Sequence, residues 1–154
     1  MRLFLDTEFN GFGGELLSIA LVPENDSFEE FYYELETDVD LLVPWVREHV
    51  IPSMDQDAVS VSSMQKYLSK YLWQFNEVEI IVDWPDDIKY FCEALITGPG
   101  ERIGIPDTVK FTLNCLLGSS ASEVLHHALH DARAIKQDYF ELEKIKSTIE
   151  EKIQ

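Results

Sequence analysis

Near the amino terminus an apolar run, Leu3-Phe4-Leu5, ends on two acids one residue apart, Asp6 and Glu8. Side chains two apart on a strand point to the same side, so these carboxylates emerge together. Bare, they repel. A divalent cation between them removes the repulsion, because hard cations such as magnesium prefer oxygen ligands. Alone, the pair fits a solvated loop as well as a metal site, and it needs partners.

Two other places supply them. The run VEIIV leads into DWPDD, so Asp83, Asp86 and Asp87 gather at the carboxyl end of an apolar strand, where open α/β sheets carry function. Asp86 or Asp87 can equally cap a following helix. HHALHDARA then brings His126 and, five residues later, Asp131. Five residues on one helix set side chains about 140° apart, so His126 suits a loop just ahead of the helix. A helix beginning earlier, at the capping-box match Ser120-Ala-Ser-Glu123, is the alternative. A histidine here also fits a surface or core role, and Asp6, Glu8 and Asp131 are expected to stand exposed in a cleft.

The elements that must position these residues run from strands to helices. RLFLDTEF, LLSIALVP and EEFYYELE are β-rich runs separated by GFGG and PENDS, which predicts a three-stranded antiparallel meander. VPWVREHVI opens a helix at Pro44, stopped by Pro52, with Leu42, Val46 and Val50 along one face. Val61, Met64, Leu68, Tyr71 and Phe75 mark a second amphipathic helix. VEIIVDW reads as an interior parallel strand and DDIKYFCEAL as the helix after it. RIGI is a candidate short strand, and Asp107 a candidate cap for a helix over 107–118. A final helix carries the stripe Ile135, Tyr139, Leu142, Ile145 and Ile149. This order predicts an α/β fold: a mixed five-stranded sheet, antiparallel meander plus parallel strands, flanked by helices.

The 154 residues, 45% apolar, suit one domain over 1–154 with a single core. No apolar run reaches membrane-spanning length and no leader is evident, so a soluble, cytoplasmic protein without membrane contact is expected. Cys92 and Cys115 lack metal-site spacing and read as reduced core residues. The net charge of −17 repels a polyanion unless cations intervene. Eight of the acids fall in PENDSFEEFYYELETDVD, which has no base and reads as a solvated rim. Lys66, Lys70, Lys89, Lys110, Arg133 and Lys136 are the available phosphate contacts.

The ordered set DTEF, DWPDD and HHALHDARA resembles the DEDDh class of 3′-to-5′ exonucleases of the ribonuclease H-like superfamily, in its small phage, prophage and bacterial exoribonuclease-like forms. The resemblance covers nearly the whole chain. It implies that Asp6, Glu8, Asp87 and Asp131 hold two magnesium or manganese ions, with Asp6 bridging them and Asp83 the alternative to Asp87. It also implies that His126 serves as general base in releasing nucleoside 5′-monophosphates from the 3′ end of single-stranded RNA or DNA, RNA ahead. A hydrolase of short oligonucleotides or small nucleotides, or a non-catalytic nucleic-acid-binding module, are the rival readings. Phe9 and Phe12 in FNGFGG, and Trp84, are candidate stacking surfaces for a terminal base. The alternatives are a plain hairpin turn with Phe12, ahead of Phe9, in the core, and a buried Trp84.

Overall fold

The computed structural model describes residues 1–153. Strand β1 (Arg2–Phe9) sends Leu3 and Leu5 into one core and Phe4 into another, so the period of two splits its side chains between the faces of a sheet. Strand β2 (Leu16–Pro23) pairs antiparallel with β1, and β3 (Phe31–Glu34) antiparallel with β2. Across β1 lies β4 (Glu77–Val82), parallel to it, followed by β7 (Thr108–Leu113), parallel to β4. The order β3-β2-β1-β4-β7 is the mixed five-stranded sheet expected, in a ribonuclease H-like arrangement. Strands β5 (Ile96–Gly98) and β6 (Glu101–Arg102) form a separate hairpin.

Four helices cover the sheet: α1 (Pro44–His49), α2 (Val61–Leu72), α3 (Pro85–Leu95) and α4 (Ala128–Ile153). On one face Leu3, Leu5, Ile19, Leu21 and Ile80 meet Met64, Leu68 and Leu72 of α2 and Phe91 and Leu95 of α3. On the other, Phe4, Ala20, Val22 and Ile81 meet Ala128, Ala132 and Ile135 of α4. The two alanines let α4 lie close to the sheet. α1 seats Val46 against Leu17 and Leu42. Emptying a site as filled as Phe4 or Phe91 costs about 3–5 kcal/mol.

Several expectations are corrected. Residues 107–118 hold β7, not a helix capped by Asp107. Thr108, Val109 and Phe111 favour the extended state, and pairing along the whole of β4 from Glu77↔Thr108 to Val82↔Leu113 overrides the helix start that Asp107 suggested. RIGI supplies only Arg102 to a strand, so the fifth strand of the sheet lies later than predicted. Cys115 is exposed and Cys92 half-buried, both free. Ile145 and Ile149 of the α4 stripe stand in solvent. A helix of 26 residues is about 39 Å long and overruns a sheet whose strands span roughly 13–27 Å. Among the described residues no helix is long and apolar enough to cross a membrane.

Candidate metal and catalytic site

β1 delivers Asp6 and Glu8 to the α4 face of the sheet, one alternation beyond Phe4. Phe4 pairs with Ile81, so continuing that parallel register by two residues sets Asp6 beside Asp83, at the end of β4. Pro85, in the first turn of α3, then starts a helix whose opening carries Asp87 back to β1. Asp87 does not cap its own helix. Its Oδ1 accepts from Thr7 N at 3.0 Å and from Thr7 Oγ1 at 2.6 Å. Asp131, in the first turn of α4, closes the cluster from the other side.

The result is two groups of carboxylates, Asp6–Glu8–Asp131 and Asp6–Asp83–Asp87, each with ligand oxygens mutually within 4.8 Å. Asp6 belongs to both. Asp6 Oδ2 and Asp131 Oδ1 are buried and accept no hydrogen bond. Both the Asp83 and the Asp87 alternatives for the middle position are therefore brought to Asp6. The expectation of residues exposed in a cleft fails: Asp131 is buried, as is Asp87, and Asp6 and Glu8 are half-buried.

Electrostatics follow from that crowding. Burial, then Asp87, Glu8, Asp131 and Asp83, push the Asp6 carboxyl well above its ordinary value. Burial, Asp131 and Asp87 push Glu8 up to about 8. Asp87 rises to about 7, mainly through burial, although the Thr7 hydrogen bonds pull it down. Burial also raises Asp83 and Asp131. No lysine or arginine is among the main causes of these shifts, although Ser122, His126 and His127 pull Asp131 down. Neutrality in the cluster must come from protons or from added cations, and a divalent cation suits an all-oxygen set with two unbonded buried oxygens.

His126 lies ahead of α4, as the five-residue spacing required, with φ +62°. Its amide donates to Asp131 Oδ2 at 3.1 Å. Its ring meets the edge of Trp45, with centroids 4.9 Å apart, and Trp45 in turn stacks on His49. Sequence reasoning missed Trp45; its only signal is an aromatic on an otherwise polar helix face, half-exposed at 51%. Thr7 was missed too, although its place between Asp6 and Glu8 marks the residue on the opposite face, toward α3. The loop after β1 is built by Asn10, which accepts from Val43 N at 2.8 Å, and by Tyr90, whose hydroxyl donates to Gly14 O at 2.7 Å. A side chain at Gly14 would collide with Asn10 O, 1.9 Å from an ideal Cβ, so only glycine fits there.

The core alternatives for the candidate stacking aromatics fail where they were weighted most. Phe12, for which the core was favoured over Phe9, is 99% exposed at the loop tip, whereas Phe9 stacks on Tyr90 at 4.5 Å. Trp84 is exposed and donates to Asp86 Oδ2 at 3.0 Å instead of being buried. His127, next in the chain after His126, is buried against Tyr32. Of the six candidate phosphate contacts, four already face acids: Lys89 with Glu93, Lys110 with Glu77, Arg133 with Glu30 and Lys136 with Asp26. No family model matches the chain, and no curated protein matches it.

Proposed function

We propose that the chain is a metal-dependent 3′-to-5′ exonuclease of the DEDDh kind, acting on single-stranded nucleic acid, with the cytoplasm as its compartment. One observation carries the reading: two groups of carboxylates share Asp6, with Asp6 Oδ2 and Asp131 Oδ1 buried and unbonded beside His126. Asp6, Glu8 and Asp131 would hold one divalent cation, and Asp6 with Asp83 and Asp87 a second. When bound, such a pair supplies Lewis-acid polarisation of a phosphodiester and a more acidic water. His126 accepts the proton of the attacking water as general base. Thr7 fixes the rotamer of Asp87. Trp45, Phe9, Phe12 and Trp84 offer ring faces for the bases at the 3′ end. RNA is put ahead of DNA on the family resemblance alone.

A second reading, hydrolysis of short oligonucleotides, draws on the four cations already engaged by acids, which leaves little to grip a long strand. One experiment separates these. Oligoribonucleotides and oligodeoxyribonucleotides of graded length, labelled at the 5′ end, are digested with manganese or magnesium. The exonuclease reading expects a ladder shortening by single residues and release of nucleoside 5′-monophosphates. Cleavage confined to the shortest chains selects the second reading. Binding without cleavage, or internal cuts, overturns both.

A further inference from the structure

His126 is the one non-glycine residue among those described with a positive φ, +62°. A β-carbon disfavours that region, and a histidine stays there only when its surroundings over-determine it. The surroundings do so from both sides of the residue. Asp131 Oδ2 takes its amide hydrogen. Its carbonyl faces the Ser53 hydroxyl at 2.5 Å, and the same hydroxyl lies 2.7 Å from Val50 O, so one hydrogen ties His126 to the turn that follows α1. The next residue is anchored to the same segment. His127 Nε2 lies 3.3 Å from Asp55 Oδ1. Glu34 Oε1 fixes that stretch in turn by accepting from Asp55 N, Gln56 N and the Tyr32 hydroxyl at 2.7, 3.1 and 2.7 Å. Glu34, Asp55 and His127 lie close enough to suggest a further metal group, but the three donors on Glu34 Oε1 explain the cluster as an anchor.

We infer that Ser53 and His127 are positioning residues: they hold the His126 backbone in its left-handed conformation, so that the imidazole reaches the carboxylate cluster. The inference rests on the exonuclease reading of that cluster. Asp131 gives the clamp a second consequence. With Oδ2 on the His126 amide, Oδ1 unbonded, and its carboxylate grouped with Asp6 and Glu8, it links the cation site to the place of the base.

The test compares Ser53→Ala with Ser53→Thr, which keeps a donor hydroxyl, and with Asp55→Asn. Misplacing a reacting group by about 1 Å costs on the order of 100-fold. Ser53→Ala should therefore lower kcat about 10- to 100-fold with KM and half-saturating manganese unchanged, Asp55→Asn should do so more weakly, and Ser53→Thr should restore the rate. In a His126→Asn background, where asparagine tolerates the same φ, Ser53→Ala should cause no further loss. A loss of equal size in that background means a merely structural role and overturns the inference. A readout independent of turnover is the ring signals of the histidines by NMR: Ser53→Ala should shift and sharpen those of His126 while His49 stays put. If the His126 signals and the rate are both unmoved, the clamp is wrong. If the wild type cleaves no phosphodiester, the exonuclease reading falls, and the ring signals still decide whether Ser53 holds His126.

Discussion

Glu8 and Asp87 make the cost of the cluster measurable. Folding raises Glu8 from its ordinary 4.5 to about 8 and Asp87 from 3.8 to about 7, chiefly by burial. The folded, metal-free protein thus keeps protons that the unfolded chain releases between about pH 4 and 8, so its stability falls as pH rises through that window. The melting temperature without metal should be higher at pH 5.5 than at pH 8, and manganese at pH 8 should recover the difference. Glu8→Gln, which cannot ionise, should flatten the profile and raise the melting temperature at pH 8. A profile that rises with pH would show that these carboxylates are not crowded as described. At His126, asparagine is the informative replacement, because it accepts φ +62° while lacking the base; turnover should drop about 10²- to 10⁴-fold with metal binding retained. Activity close to wild type would relieve His126 of its role.

Elements explain which parts were legible. Asp6 and Glu8 were readable because a short apolar run ending on two acids already fixes strand, face and end. The His126 loop was readable from a helical angle. β7 was not: TVKFTL carries a mixed pattern, and what decides it is the need of the buried strand β4 for a second neighbour, which no local window contains. Ser53 and Trp45 were invisible for the same reason, since Ser53 meets His126 across 73 residues of sequence. The acid-rich stretch 23–40, read as a solvated rim, keeps most of its acids exposed, and it is tied to α4 through Arg133–Glu30 and Lys136–Asp26. The core alternative for Phe12 fails because an apolar side chain in a loop can be held out by its backbone, here between Gly11 and Gly13 at φ +65° and +72°. α4 yields its own prediction. Beyond Leu142 its apolar residues Ile145 and Ile149 are exposed, so ending the chain at Lys146 should change the melting temperature by no more than about 2 °C and leave turnover intact. A large loss in dilute solution would show that the end of α4 is supported by something more than itself.

For the molecule as a whole, charge and fold meet at one place. A chain of net charge −17 can approach a nucleic acid only where its field is reversed, and the meeting point of β1, β4, α3 and α4 is the place where added cations would reverse it. Asp6 belongs to both carboxylate groups, and calorimetric titration of manganese in the presence of a nucleoside 5′-monophosphate shows whether it serves two ions. The wild type should bind two ions per chain. Glu8→Gln or Asp131→Asn should weaken one, Asp87→Asn the other, and Asp6→Asn both, with the fold kept in every case. A single ion in the wild type, or an Asp6→Asn protein that still binds two, would contradict that role of Asp6.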